Sequence, residues 1–343
     1  MAALAAAAAA ACPTSLQTLA ASSSLSPIKV LRIPHLVPYN LGTALQEHLY
    51  QRRLDARAFV RELPSPSPAS RIDAAGRGRG REALAREVAN TDHLLLLQHA
   101  PVFTEGKRQK EMDQELSNAC RKLGVDYVLA RRGGLITYHG VGQITGYPSL
   151  DLAPMQLSVK CYVSYLETLF RTLLASDRYN LPTVEPPDGH TGVWADDYHK
   201  IVALGVQVRH RLTLDGFGFN ISSAPLDFFS MIVACGIQGR FMTTLWTELG
   251  KKAAGGGKLP SAEEAERIWA ANPDLRPSVA DMMSVVAEHF GLQFGRRMED
   301  VREEEAQYEV ESTSQWMDEN GKPALKLKSI TLYGERIDLL VPP

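Results

Sequence analysis

The reactive side chains that stand out first are a cysteine and a lysine. Cys235 sits in Ala234-Cys235-Gly236-Ile237, and Lys200 opens the apolar run Lys200-Ile201-Val202-Ala203-Leu204-Gly205. A cysteine attacks as its thiolate, while a free thiol has a pKa of about 8.5, so a nucleophilic cysteine needs a partner that favours its charge. A lysine ammonium aimed into a site can be that partner. Each residue also has a plainer reading. Cysteine is more often a small buried hydrophobe, and a lysine at a strand end is more often the solvated end of a hairpin. Spacing alone does not choose between them.

Two glycine-rich stretches accompany the pair. One is Arg131-Arg132-Gly133-Gly134-Leu135-Ile136-Thr137-Tyr138-His139-Gly140-Val141-Gly142-Gln143, the other Leu214-Asp215-Gly216-Phe217-Gly218-Phe219-Asn220. Glycines let backbone approach a ligand closely, and the Thr, Tyr, His and Gln beside them supply donors and acceptors. The first stretch does not end in the Gly-Lys-Ser/Thr of a phosphate loop, so it gives no support to a nucleotide fold. Taken alone, His139 reads more simply as a structural histidine.

The elements that must position these residues follow from periodicity. Leu41, Leu45 and Leu49 fall at helical spacing. Leu94 to Leu97 suits a buried strand, Val125 to Leu129 a second, and Leu135 to His139 a third. Val159, Tyr162, Val163, Leu166, Leu169, Phe170 and Leu173 mark an amphipathic helix that carries Cys161 and Tyr165. Gly192 to Trp194 and Lys200 to Val208 read as strands joined by a turn at Asp196-Asp197, and Thr213 to Ile221 as the next. Val279 to Phe290 reads as a helix, and Leu325 to Val341 as a hairpin turning at Gly334-Glu335. Hairpin-like pairs mixed with helices predict an α/β fold with a mixed sheet rather than a doubly wound parallel one.

Composition sets limits. Of the 343 residues 45% are hydrophobic and 22% charged, with a formal net charge of -2, which is the composition of a globular chain. No basic excess points to nucleic acid. The run Gly76-Arg77-Gly78-Arg79-Gly80-Arg81 has no interleaved aromatic residue for stacking on bases and reads as a solvated loop. No apolar run reaches the roughly 20 residues that span a bilayer. Cys12, Cys120, Cys161 and Cys235 form no CxxC pair and no zinc-like cluster, so neither a metal nor a cofactor is expected, and free thiols are. Residues before Ile28 are Ala- and Ser-rich and lack any acidic side chain. That suits an organellar transit peptide or a low-complexity tail, and composition leaves both open.

In combination, these segments resemble one family. Arg132 to Gln143 is similar to the signature of the lipoyl(octanoyl) transferases, which move octanoyl from acyl carrier protein to target proteins in lipoate biosynthesis. His99-Ala100-Pro101-Val102-Phe103-Thr104 is similar to that family's HPPVFT-type segment. Thr191-Gly192-Val193-Trp194, Lys200 to Gly205 and Cys235-Gly236 then follow in family order, so the resemblance runs from about Pro34 to Leu249. It implies a fold like the biotin/lipoate protein ligase catalytic domain, a mixed sheet flanked by helices. It implies an acyl nucleophile at Cys235 and an activating lysine at Lys200. It also places substrate-binding roles on Arg132, Gly133, Gly134, Leu135, Ile136, Thr137, Tyr138 and His139, on Ala203, Leu204 and Gly205, and on Gly216, Phe217 and Gly218.

The implied substrates are octanoyl-acyl carrier protein and a lysine on lipoyl domains of 2-oxoacid dehydrogenase complexes or on the glycine cleavage H protein. Exchange between a thioester and a thiol is nearly isoenergetic, so no ATP is needed. The implied location is the mitochondrion, with the plastid as alternative. Three departures stand out: Val141 and Ala234 where Pro is usual, and Asp215 where the family often has His. An ATP-dependent lipoate–protein ligase, a cysteine thioesterase and a non-catalytic carrier-binding module are the alternatives. The expected organisation is a leader over 1–33, a catalytic domain over 34–295 with a disordered insertion near 64–81, and an extension with a hairpin over 296–343.

Overall fold

A computed structural model describes residues 12, 25–63, 77–108, 111–187, 190–236, 238–256, 262–273, 276–317 and 321–338; for 77–79, 235, 262–266 and 314 it describes backbone only. Strand β1 (Ile28–Val37) leads into helices α1 (Tyr39–Glu62) and α2 (Arg77–Asn90), then β2 (Asp92–His99) and β3 (Val102–Glu105). Next come α3 (Gln114–Leu123), β4 (Asp126–Leu129), β5 (Thr137–His139), β6 (Gln143–Ser149) and α4 (Val159–Ala175). The central strands β7 (Val193–Trp194), β8 (His199–Arg209) and β9 (Leu212–Asn220) are followed by α5 (Ala224–Phe229), β10 (Phe241–Met242), α6 (Leu245–Ala253) and α7 (Ala262–Ala271). Helix α8 (Val279–Phe294) and strands β11 (Met298–Asp300), β12 (Ala306–Met317), β13 (Pro323–Leu332) and β14 (Glu335–Asp338) complete the chain.

The strands form a mixed sheet in the order β10-β8-β9-β6-β2-β1-β13-β12, with β7 on β8, β11 on β1 and β14 on β13. β1 and β2 run parallel, while β2, β6, β9 and β8 pair antiparallel in turn. A small second sheet, β4-β3-β5, stands beside it. The run Leu94 to Leu97 is uninterrupted because β2 is covered on both faces. Leu94 and Leu96 pack with α4 and α8 residues such as Leu166, Leu169 and Phe290. Leu95 and Leu97 face α1 through Leu41, Leu45 and Leu49. Ser158 caps α4 by accepting from the Cys161 N–H at 3.1 Å, and Ser278 caps α8, each satisfying an orphan donor of the first turn.

Four expectations change. The boundary placed at 33/34 falls inside β1, a strand of the main sheet, so the folded body begins by Ile28. The segment from 296 is no appendage: β11 and β13 pair with β1, and Arg296 shares the buried Asp92 carboxylate with Arg53 of α1. Of the insertion near 64–81, residues 64–76 lie outside the described residues, while 77–81 belong to α2. The thiols are not all free, since Cys12 is disulfide-bonded to Cys161. Spacing rules search for close pairs and do not register a partner 149 residues away. Among the described residues, no helix is long and apolar enough to cross a membrane.

Candidate active site

A cavity of about 250 Å³ opens between the Arg132–Leu135 loop, the middle of β8 and β9, and α4. Apolar lining comes from Leu135, Val163, Leu204, Val206 and Phe217, and polar lining from Tyr39, Thr145, Tyr147, His139, Lys200 and Asp215. Ala203, Gly205, Gly216 and Gly218 put backbone at the wall. These four face one another across the antiparallel pair, Ala203 opposite Gly218 and Gly205 opposite Gly216. The absence of bulky side chains on that stretch is what leaves room for a ligand.

Lys200 is buried, with 4% of its surface exposed. It is held on both sides, by β7 through Trp194 and by β10 through Met242, and its carbonyl accepts from the Thr243 N–H at 2.8 Å. Its Nζ lies 4.8 Å from the centroid of the Trp194 ring. Gly192 (φ 109°) lies beside the lysine stem, and a Cβ there would come within 2.4 Å of the Val202 carbonyl oxygen. The Gly192 N–H donates to Glu167 of α4 at 2.8 Å. Burial raises the Glu167 carboxyl pKa, while that N–H, Arg171 and Lys200 oppose the rise. The lysine of the sequence pattern is therefore aimed inward, not at solvent.

Cys235 lies in a short 3₁₀ turn, Ala234–Gly236, that packs on β5. Gly236 has φ 69° and sits against the Leu135 side chain, so a Cβ there would clash. The positive φ favours glycine at this position, and a Cβ there would also displace the end of the Leu135 side chain. The contact joins the cysteine turn to the Arg132–Leu135 loop, two segments about a hundred residues apart in the chain.

The signature stretch divides by strand alternation. Thr137 and His139 line the cavity, while Tyr138 turns away and stacks on Phe228 at 4.6 Å. Ile136 does not line the cavity either. Arg132 borders the cavity, but its guanidinium is engaged elsewhere. It donates to Thr104 Oγ1 at 2.7 Å and to the Gly133 and Leu135 carbonyls at 2.9 Å, folding the glycine loop onto β3. Of the signature residues, Arg132 thus lies on the cavity wall with its guanidinium hydrogen-bonded to the protein, while Ile136 and Tyr138 lie off the wall.

The histidines are neutral for a physical reason. Burial, with His99 and Arg132 adding to it, lowers the His139 pKa to about 3, and burial lowers that of His99 to about 4. His99 Nδ1 lies 2.7 Å from the Val37 carbonyl, which can only accept, so Nδ1 carries the proton. Its Nε2 then accepts from the Tyr147 hydroxyl at 2.6 Å. Gln143 donates its amide to Asn220 Oδ1 at 2.9 Å, which turns its Oε1 toward His139 Nδ1 at 2.7 Å. His139 Nδ1 is then the protonated nitrogen. Asp215 differs from both. Burial pushes its carboxyl up to about 6, against the pull of Arg132, Lys107 and Arg209.

Sequence reasoning missed Trp194 as the lysine's platform, Glu167, and the cavity residues Tyr39, Thr145, Tyr147 and Val163. Only Trp194 left a signal, its place beside Gly192 in the Thr191–Trp194 segment. A buried lysine, a cysteine turn latched to a glycine loop and a partly apolar cavity suit transfer of a linear acyl group between nucleophiles.

Comparison with known proteins bears on this site. The model of the lipoyl protein ligase A/B catalytic domain matches residues 80–256. An octanoyltransferase of Caldicellulosiruptor saccharolyticus is 41% identical over 162 residues, covering 47% of this chain and 68% of that one. A mitochondrial octanoyl-acyl-carrier-protein:protein N-octanoyltransferase of Danio rerio is 36% identical over 173 residues, covering 50% of this chain and 74% of that one. A solved lipoate-protein ligase A bound with ATP aligns at a TM-score of 0.46 and 12% identity, over 81% of this chain and 90% of that one.

Proposed function

Because the chain belongs to the lipoyl protein ligase A/B catalytic-domain family and, within it, to the octanoyltransferases, we propose that it moves octanoyl from acyl carrier protein to a lipoyl-domain lysine through a thioester on Cys235. The mixed sheet flanked by helices is that family's ligase-like fold. The observation that carries the proposal is the buried Lys200 on the wall of a cavity that Leu135 joins to the Cys235 turn. Leu135, Val163, Leu204, Val206 and Phe217 give that cavity an apolar lining suited to an acyl chain.

The steps balance without a cofactor. Lys200 as amine takes the Cys235 thiol proton, and the thiolate attacks the carrier thioester carbonyl. The tetrahedral intermediate expels the phosphopantetheine thiolate, which leaves with that proton. The acceptor lysine amine then attacks octanoyl-Cys235, an amide forms, and the cysteine thiolate departs. The proton lost by the amine returns through Lys200 to sulfur. Backbone N–H groups of the glycine loop are the candidates for holding the oxyanion.

The acceptor is a lipoyl domain of a 2-oxoacid dehydrogenase complex or the glycine cleavage H protein. The place of action is the mitochondrion, in line with the Danio rerio relative. Intact-mass measurement after mixing with octanoyl-carrier protein tests the mechanism: an octanoyl adduct forms on the wild type and is absent in Cys235→Ala. Transfer by Cys235→Ala, or transfer that needs ATP, overturns it. A fluorescent reporter fused to residues 1–34 tests the location, which is wrong if the fusion stays outside mitochondria.

A further inference from the structure

The C-terminal strands lie beyond residue 256, where the match to the family's catalytic domain ends, yet Trp316 on β12 touches Phe228 of α5, the helix that leads to the cysteine turn. β12 and β13 pair from Ala306 opposite Leu332 to Ser312 opposite Leu325, with a first register shift between Glu309 and Val310, and pairing resumes at Met317 opposite Pro323. Between these points β12 advances five residues while its partner advances two. Bulges of this kind re-aim side chains and recur beside active sites. Here the extra residues turn Gln315 and Trp316 toward the small sheet. Gln315 Nε2 donates to the Leu123 and Gly124 carbonyls at 3.0 and 3.2 Å, latching the bulge to the end of α3.

Trp316 enters the cluster formed by Phe103, Cys120, Tyr138 and Phe229. Its ring meets Phe228 edge-on at 6.2 Å, and Phe228 stacks on Tyr138 at 4.6 Å with the planes 9° apart. Each end of that stack leads to the site. Tyr138 stands between Thr137 and His139, both on the cavity wall. Phe228 belongs to α5, whose chain continues through Ile232 and Ala234, two further members of the cluster, into the Cys235 turn. The Phe228 carbonyl also accepts from the Met231 N–H at 3.1 Å, just past the helix, and the Gly236 N–H donates to the Val233 carbonyl at 2.9 Å within the segment that follows.

We propose that Trp316 is a positioning residue for acyl transfer: through Phe228 and Tyr138 it sets the Cys235 turn against the cavity wall. The C-terminal strands are then a working part of the enzyme. This rests on Cys235 being the acyl nucleophile. A displacement of about 1 Å in such a site can cost up to 100-fold in rate. Trp316→Ala is therefore expected to slow single-turnover acylation of Cys235 by roughly 10- to 100-fold, with KM for octanoyl-carrier protein little changed.

The test follows single-turnover acylation by mass spectrometry and the pH profile of Cys235 alkylation by iodoacetamide, both per folded molecule. Trp316→Phe restores most of the rate because it keeps an aromatic edge against Phe228. Gln315→Ala, an exposed change that cannot empty the core, slows acylation in the same sense and less. If Trp316→Ala lowers thermal stability but leaves the acylation rate and alkylation profile as in the wild type, the proposal fails. The same holds if Trp316→Phe fails to restore the rate. If the wild type forms no octanoyl adduct, the nucleophile assignment fails instead, and the alkylation profiles still report on Trp316.

Discussion

Lys200 carries its Nζ over the face of Trp194, 4.8 Å from the ring centroid, and both side chains are buried. An aromatic face attracts a cation, more so away from water. Lys200→Met keeps the stem on the ring but removes the nitrogen. Transfer is expected to fall by about 10²- to 10⁴-fold, the usual worth of a general acid–base group, with the near-UV circular dichroism unchanged. Lys200→Arg is also expected to be inactive, because a guanidinium does not give up its proton near neutral pH. Rapid-quench measurement of the acylation step checks both. A Lys200→Met variant that acylates at the wild-type rate would remove the lysine from the mechanism.

Asp215 predicts a dependence of stability on pH. Its folded pKa of about 6 lies above the usual 3.8, so between those values the folded state holds a proton that the unfolded state has lost. Stability therefore falls as pH rises through that window. Asp215→Asn is expected to stabilise the protein at pH 7.5, by at most about 3 kcal/mol, and to make no difference near pH 3.5. Asn also tolerates the left-handed backbone found here, φ 56°. Denaturant titrations of both proteins at the two pH values decide it, and an equal gain at both would refute the assignment.

Much of this site was legible because residue type and order carry it. The Lys200 run lies on β8, Arg132 to Leu135 with Thr137 and His139 lie at the cavity, and the long helices α1, α4 and α8 follow the apolar period that the sequence shows. What stayed hidden depends on through-space geometry. Nothing local says that Arg132 spends its guanidinium on Thr104, or that Tyr138 faces away while its neighbours face the cavity. Helix α2 was masked by the Gly and Arg residues at its start, which are turn-like when read in isolation. The bulge that sends Trp316 toward Phe228 is set by strand pairing, and pairing is not written in a single strand's pattern.

Gly236 gives a prediction with an internal control. Gly236→Ala meets two obstacles, a left-handed φ of 69° and the Leu135 side chain. The backbone conflict costs roughly 1–2 kcal/mol, and the clash pushes the Cys235 turn away from the loop. Acylation is expected to slow at least tenfold. Leu135→Ala in the same chain frees the space but not the backbone, so part of the rate returns. If the double variant is no faster than the product of the two single effects predicts, the Leu135 contact is not what places the turn.

Arg132 separates shape from charge. Its guanidinium donates to Thr104 on β3 and to two carbonyls of its own loop, a set of directions that a lysine ammonium cannot reproduce. Arg132→Lys keeps the positive charge and is nevertheless expected to lose activity, roughly tenfold or more, because the glycine loop is released from β3. Were Arg132 instead a charge acting on the substrate at a distance, lysine would substitute well. Hydrogen exchange at the Gly133 and Gly134 amides supplies the second readout: faster exchange in Arg132→Lys together with lost activity supports the clamp. Retained activity with unchanged exchange would show that the loop holds its shape without the guanidinium.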